Sequence, residues 1–255
     1  MKKIIPLIAI SFLASNVKAV DLNSSESPLG YAPKGHGFTY LKLSNIENND
    51  LFNRYATLKS ETVYGLTDKI MLYGGVSYTD LETLVPEDRK DISSPNLGAF
   101  YRAVDSKSFK LDFHSDFVFK LNNKIDETER KQMNFGIRSS FQNENSILGF
   151  GAISKYNFKS SAIKASNDLQ AYINFQHLFS DSFSTNLIFV YDFLSDETGG
   201  VPLDNKYSFI AQVNYHILPK FLIGVYGGKE FYQENNGIPQ IKNSIISGVK
   251  TSYKF

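Results

Sequence analysis

The chain has 255 residues, of which 27 are lysine or arginine and 26 are aspartate or glutamate. This near balance of charge argues against a nucleic-acid partner, because binding to phosphates needs a basic face. The sequence has no cysteine and no tryptophan, but it has 21 phenylalanines and 15 tyrosines. A fold without disulfides must be held by a large core or by a continuous network of hydrogen bonds.

The N-terminal stretch has the pattern of a secretory signal peptide. Two lysines precede an apolar run at 4–13, and small residues lead up to Ala19. We expect cleavage after Ala19, which leaves 24 basic and 26 acidic residues and a net charge of −2. No later stretch is apolar over the ~20 residues that a membrane-spanning helix needs. Any passage through a bilayer would therefore use strands.

The rest of the chain alternates apolar and polar residues with a period of two, which predicts strands almost throughout. Clear examples are FKLDFHSDFVFKL at 109–121 and YSFIAQVNYHI at 207–217. About twelve such runs follow one another, at 37–48, 55–66, 70–82, 95–105, 109–121, 130–142, 146–158, 167–179, 183–194, 206–217, 221–233 and 244–255. Neither a helix nor a linker interrupts them, so we predict one all-β domain of about twelve strands, within a range of 10–14.

Two kinds of connection alternate between these strands. Short runs of small, polar residues, such as 67–69, 143–145 and 180–182, suit tight hairpins. The other connections are longer, as at 83–94 and 195–205. Tight turns at one end and longer loops at the other are typical of bacterial outer-membrane barrels, whose short turns face the periplasm.

The last residues, VKTSYKF at 249–255, resemble the C-terminal signature of Gram-negative outer-membrane β-barrel proteins. Phe255 is the terminal aromatic and Tyr253 lies two positions before it, although Thr251 and Ser247 are less apolar than the signature prefers. The resemblance implies an antiparallel up-and-down transmembrane β-barrel in the outer membrane. It also implies contacts with outer-membrane lipid and lipopolysaccharide, and recognition of the last strand by the barrel-assembly machinery.

This resemblance divides the chain into three parts. We expect a cleaved signal peptide at 1–19, a periplasmic N-terminal segment at 20–36 and an outer-membrane barrel at 37–255. In such a barrel the apolar face of each strand meets lipid and the other face lines the lumen.

Two sets of residues follow from this arrangement. Aromatic residues gather on the apolar face at the tight-turn ends, where a membrane barrel has an interfacial girdle. The predicted girdle is Tyr64, Tyr101, Phe109, Phe141, Phe179, Phe183, Tyr215, Phe221, Tyr253 and Phe255. The predicted pore-lining residues on the polar face are Lys42, Lys59, Glu61, Arg102, Lys110, Asp112, His114, Asp116, Arg138, Lys155 and Lys250.

The densest local cluster of titratable groups is Asp112, His114 and Asp116, which alternate along one predicted strand. Their side chains would share the lumen face, about 6–7 Å apart. Such a cluster has three interpretations: a charge network with Lys59, Lys110 or Arg138 on neighbouring strands, a metal site, or a base with an orienting acid. The charge network is the preferred one, because a lone D-x-H-x-D pattern also occurs by chance.

Barrels of about eight strands are filled by their side chains, whereas those of about sixteen enclose an open channel. Twelve strands therefore predict a narrow channel, and basic residues outnumber acidic ones by nine to five at its inward positions. We predict a passive channel for small hydrophilic solutes with a weak preference for anions, without cofactor, metal or catalytic residues. The architecture is similar to that of small oligosaccharide porins that carry acidic sugars. Two alternatives are a structural or surface-adhesion barrel with a plugged lumen, and an outer-membrane protease or lipid hydrolase.

Overall fold

The computed structural model describes residues 32–48, 52–83, 89–119, 121, 131–159, 165–193, 197–198, 201–202, 205–232 and 244–255. The barrel strands are β1 (Gly37–Asn48), β2 (Phe52–Gly65), β3 (Ile70–Thr83), β4 (Arg89–Asp105), β5 (Phe109–Val118), β6 (Gln132–Gln142), β7 (Ser146–Asn157), β8 (Ser166–Ser180), β9 (Phe183–Phe193), β12 (Lys206–Leu218), β13 (Phe221–Tyr232) and β14 (Ser244–Lys254). A separate two-stranded ribbon is formed by β10 (Glu197–Thr198) and β11 (Val201–Pro202). The described residues include no helix long and apolar enough to cross a membrane.

The twelve long strands form one closed antiparallel barrel, which confirms the predicted fold class and strand number. Each strand pairs with its neighbours in the chain, and β9 pairs with β12 across the ribbon. The ring closes between β14 and β1, whose register runs from Phe38 opposite Lys254 to Glu47 opposite Ile245. The predicted signal peptide lies outside the described residues.

Two features differ from the sequence prediction. Strand β4 begins at Arg89, six residues before the predicted start at 95, because its first residues pair with the outer end of β3. The register shifts where Pro95 lies, since proline has no N–H to give to a ladder. This irregularity, together with the polar residues around it, makes the segment resemble a loop in the sequence. The ribbon of β10 and β11 lies within a predicted loop and has only two residues on each side.

The outer surface of the barrel is apolar. Every barrel strand exposes at least one large apolar side chain, for example Leu41 on β1, Phe135 on β6 and Val225 on β13. Soluble monomers rarely expose a continuous apolar surface of this extent, whereas lipid covers it at no cost. The barrel therefore has the outer surface of a membrane-spanning protein.

The predicted girdle residues lie on the outward face at the tight-turn end. Seven of them are exposed: Tyr64, Tyr101, Phe141, Phe179, Tyr215, Tyr253 and Phe255. The other three are partly covered. The Phe109 ring lies 4.9 Å from Phe141 and the Phe183 ring lies 5.5 Å from Phe179, centroid to centroid, while Phe221 is paired with Tyr253.

A second group of aromatic residues lies at the long-loop end and was not predicted. Its ring pairs include Tyr191 with Phe193 at 4.2 Å and Tyr156 with Phe158 at 5.1 Å. On β9, Phe183 and Phe193 are ten residues apart, which is ~33 Å along a strand and ~25 Å along the axis of a barrel with strands tilted by about 40°. This separation matches the apolar band of a membrane barrel. The sequence signal for this second group is that aromatic residues also occupy outward-facing positions at the long-loop ends of the strands.

Closure of the ring depends on a close approach between Gly37 and Phe255. The N–H of each donates to the carbonyl of the other, at 3.1 and 3.0 Å. A Cβ on Gly37 would lie 2.6 Å from the Phe255 ring and 2.7 Å from the carbonyl oxygen of Val63. Only glycine leaves room for both neighbours.

We expect Gly37→Val to lower the free energy of unfolding by about 1–3 kcal/mol, which is the usual cost of overpacking a tight site. The measurement is a urea titration of the refolded protein in lipid vesicles, followed by far-UV circular dichroism. The matched control is Gly227→Val, because a Cβ at Gly227 meets nothing closer than 3.8 Å. Equal urea midpoints for the two variants would show that the Gly37–Phe255 contact does not limit stability.

Candidate functional site

The lumen is the candidate functional site. In the structure, all eleven predicted pore-lining residues alternate along their strands with residues of the outward face. These residues do not form one continuous lining of the lumen. Some are packed into the periplasmic half of the barrel, some border a cavity in the outer half, and Lys110 lies near the periplasmic turn, where its Nζ is 2.9 Å from Asp105 Oδ1.

A buried ion cluster holds three neighbouring strands together on the inside. Arg102, Asp112 and Arg138 are directly opposite one another on β4, β5 and β6. Arg102 donates to both carboxylate oxygens of Asp112, at 2.7 and 3.0 Å, and Arg138 donates through Nε at 2.8 Å. The guanidinium of Arg138 also lies 3.8 Å from the centre of the Phe100 ring. Asp112 is therefore the shared acceptor of two charge-assisted contacts.

His114 and Asp116 make different contacts, although they share a strand face with Asp112. The His114 ring lies 5.2 Å from the Phe100 ring and fills the space over Gly136, where a Cβ would come within 2.0 Å of it. Asp116 accepts hydrogen bonds from the Tyr73 hydroxyl at 2.8 Å and from Asn134 Nδ2 at 2.9 Å. In the part of the chain that the structure describes, no three His, Cys, Asp or Glu side chains are grouped so as to hold a metal ion.

An apolar core fills the tight-turn end of the barrel beside β1 to β4. It consists of Ala32, Phe38, Tyr40, Val63, Met71, Tyr73 and Phe100. Ala32 precedes β1 and is only 2% exposed, and its N–H donates to the sulfur of Met71 at 3.2 Å. The residues just before β1 approach so closely that a Cβ on Gly65 would lie 2.2 Å from the carbonyl oxygen of Pro33. Segment 32–36 thus helps to fill the mouth of the barrel at the tight-turn end.

Side chains fill the rest of this half as well. Each barrel strand contributes at least one buried, inward-facing residue there, namely Tyr40, Val63, Met71, Phe100, Asp112, Arg138, Ile147, Gln176, Ser184, Asn214, Leu222 and Ser252. The sequence prediction missed most of them, because it weighted charged inward positions. The signal that could have identified them is the presence of apolar and amide residues at inward-facing strand positions near the tight turns.

The outer half of the lumen contains a cavity of about 300 Å³ against β2 to β8. Its lining residues are Lys59, Tyr73, Ser77, Asn96, His114, Asp116, Val118, Gln132, Asn134, Ile153, Lys155 and Gln170. Two lysines border it on separate strands. Lys59 Nζ lies 3.1 Å from Glu61, and Lys155 Nζ lies 3.6 Å from Asp192.

Positive charge is concentrated on the inner wall next to this cavity. Lys250, Lys42 and Lys59 are directly opposite one another on β14, β1 and β2. The Lys42 ammonium lies 5.0 Å from the centre of the Tyr226 ring, and the Lys250 ammonium lies 4.9 Å from that of Tyr40. Like charges at directly paired positions destabilise a sheet unless something of opposite charge is near. Glu61, 3.1 Å from Lys59, supplies one such charge, and the row brings three lysines to one level of the inner wall.

Comparisons with known proteins find similarity of structure only. No protein-family model and no curated protein matches the sequence. The COG4313 outer membrane channel from Pseudomonas putida F1 aligns with a TM-score of 0.70 at 12% identity, over 92% of this chain and 100% of that one. The NanC porin aligns with a TM-score of 0.61 at 8% identity, over 85% and 100% of the two chains.

A third solved structure, the KdgM porin in complex with disordered oligogalacturonate, has a TM-score of 0.55 at 7% identity and covers 85% of this chain and 99% of that one. At such identities the likeness concerns the fold. The chain has the fold of the outer-membrane β-barrel channels, which confirms the predicted class of outer-membrane β-barrel.

The ion cluster makes a stability prediction. Asp112→Asn removes the buried carboxylate that the two guanidinium groups share, and we expect a loss of about 3–5 kcal/mol in the free energy of unfolding. Asp105→Asn is the matched control, because the Asp105 side chain is 48% exposed and exposed ion pairs contribute ~0–1 kcal/mol. Urea titrations in lipid vesicles measure both changes. Similar losses in the two variants would contradict the structural role assigned to Asp112.

Proposed function

We propose that the protein is a narrow, passive channel of the outer membrane for small hydrophilic solutes, with a weak preference for anions. The observation that carries the proposal is the row of Lys250, Lys42 and Lys59 on the inner wall. A charged lining raises the local concentration of ions of opposite sign and sets the selectivity of a pore. Solutes diffuse through the lumen without a cofactor and without turnover.

The packing of the lumen supports the narrowness of this channel. Residues such as Tyr40, Phe100 and Asn214 are buried in the periplasmic half, so permeating solutes must pass between closely spaced side chains. The proposal therefore predicts a conductance well below that of an open sixteen-stranded porin. The same packing favours one alternative, a structural or surface barrel with a plugged lumen.

The contacts of the Asp112, His114 and Asp116 cluster favour transport over catalysis. Both oxygens of Asp112 are engaged by arginines, and both oxygens of Asp116 accept hydrogen bonds from Tyr73 and Asn134. Neither carboxylate is hydrogen-bonded to His114 in these contacts, so the pattern of a base with an orienting acid is not formed.

We also propose roles for the aromatic belts and for the last strand. The belts would lie at the levels of the lipid and lipopolysaccharide head groups, as aromatic girdles do in membrane barrels. Tyr253 and Phe255 lie on the lipid-facing side of β14, where the barrel-assembly machinery would recognise them during insertion.

Ion selectivity in a planar bilayer tests the proposed function. Under a gradient of potassium chloride, the refolded protein should give small discrete current steps and a reversal potential that favours chloride. Lys42→Gln should move this potential toward zero, because it removes the central charge of the lysine row.

Lys229→Gln is the control for this experiment. Lys229 lies on the exposed outer face of β13, so the variant makes the same change of charge outside the lumen and should leave selectivity unchanged. A folded barrel without current steps would overturn the channel and favour the plugged barrel. A preference for potassium would overturn the anion preference alone.

A further inference from the structure

An aliphatic strip crosses the inner wall of the outer half of the barrel. Its members are directly opposite one another on five neighbouring strands, in the order Ile188, Ile210, Gly228, Ile246 and Ile46. Strands are spaced ~4.8 Å apart, so the strip is ~19 Å wide. It begins in the middle of β9 and reaches the outer ends of β14 and β1.

The burial of neighbouring residues shows that the strip faces the lumen. Ile246 is 7% exposed, whereas Ile245 beside it is 58% exposed on the outer surface. Gly228 does not interrupt the strip, because the Cγ1 of Ile210 leans over it and would lie 3.0 Å from a Cβ built there. The isoleucines therefore present a continuous apolar surface.

This surface is unexpected in a path for hydrophilic solutes alone. Apolar area held in water costs free energy relative to burial. Ile188, Ile210 and Ile46 keep part of their surface exposed and are not members of the buried apolar core at the periplasmic end. Serine or threonine would serve a sugar or an inorganic ion better at these positions.

The strip lies across the lumen from the polar cavity. In the ring of twelve strands, β12 is six places from β4 and β14 is six places from β6. The walls that face each other thus carry isoleucines on one side and Lys155 and Asn134 on the other, while Lys59 lies on β2, next to the β1 end of the strip. The outer half of the lumen therefore has one apolar wall and one polar wall.

The cavity also contains polar atoms that have no partner within the protein. Asn134 Oδ1 and His114 Nδ1 are buried and accept or donate no hydrogen bond, and both residues line the cavity. Native proteins leave few such atoms unsatisfied, and those that remain often mark a site for water or a ligand. With a volume of about 300 Å³, the cavity lies at the lower end of the range for small-molecule sites.

We propose that the outer half of the lumen binds small organic anions with an apolar body, of the size of one substituted ring. The apolar body lies on the isoleucine strip, and the anionic group faces Lys59 and Lys155. This inference rests on the proposed anion channel and names the class of solute that it favours. Selectivity arises because a hydrophilic anion of equal charge gains nothing from the strip.

Two sulfonates of equal charge test the proposal in planar bilayers. Benzenesulfonate and methanesulfonate are both fully ionised, so neither crosses lipid as a neutral acid, and only the first has a large apolar body. We expect benzenesulfonate to reduce the chloride current at a concentration several-fold lower than methanesulfonate. In Ile188→Thr and Ile210→Thr this advantage should fall, roughly fourfold for each buried CH₂ that is lost.

The control is Ile173→Thr, the same substitution on the lipid-facing side of β8, which should leave the advantage intact. Lys155→Gln should weaken the effect of both sulfonates alike, because it removes charge and leaves the strip unchanged.

The outcomes separate the two proposals. A barrel that carries no current overturns the channel and this inference together. A barrel that conducts chloride, but responds equally to both sulfonates, overturns the inference and leaves the channel in place. An advantage for benzenesulfonate that persists in both strip variants also overturns it. Because the comparison of the two sulfonates uses the unmodified protein, it decides the matter even if the variants do not refold.

Discussion

A strand that crosses lipid must form hydrogen bonds along both of its edges, because the bilayer offers no water to its backbone. In this protein the requirement is met by the pairing of β1 with β14, which joins the two ends of the sheet and leaves no barrel strand with a free edge. The reciprocal hydrogen bonds between Gly37 and Phe255 mark one end of that seam. Everything else in the structure depends on this closure, since it separates an inner face from an outer face on every strand.

Closure with twelve strands also limits what the lumen can be. The circumference is larger than that of a filled eight-stranded barrel but smaller than that of an open porin. The chain divides this space along the axis. Near the tight turns, the apolar core around Tyr40 and Met71 and the ion cluster around Asp112 fill it. Toward the long loops, a polar wall with Lys155 and Asn134 faces an aliphatic wall. In the proposed channel, the filled half makes the passage narrow. The polar and aliphatic walls of the other half determine which solutes are favoured.

The sequence predicted the properties that lie within one strand. Alternation along each strand is enough to place Phe135 outside and Asp116 inside, and turn residues such as Asn143 mark the hairpins. The alternation was weaker where a bulge or an extended loop-like segment interrupts it. The early start of β4 near Pro95 was therefore missed, because the irregular register there is set by pairing with β3.

The sequence predicted a charge network for the Asp112 cluster with Arg138 among its candidate partners, but it could not give the full register between strands that decides the contacts. Asp112 meets Arg102 and Arg138 because the shear of the closed barrel brings three strands into one alignment. The isoleucine strip likewise combines single residues from separate strands, which are far apart in the chain. Each isoleucine is inconspicuous in its own strand, so the strip has no sequence motif. Alternation within a strand therefore predicts inward positions without showing which of them pack together and which border a cavity.

The division of the lumen into a filled and an accessible half is the central claim of this account. The chain has no cysteine, so single cysteines report their own accessibility without background. We would measure the rate at which a water-soluble thiol reagent labels Ser77→Cys, in the cavity, and Ser252→Cys, in the filled half, in proteoliposomes. The account predicts rapid labelling at 77 and slow labelling at 252. Comparable rates at the two positions would contradict it.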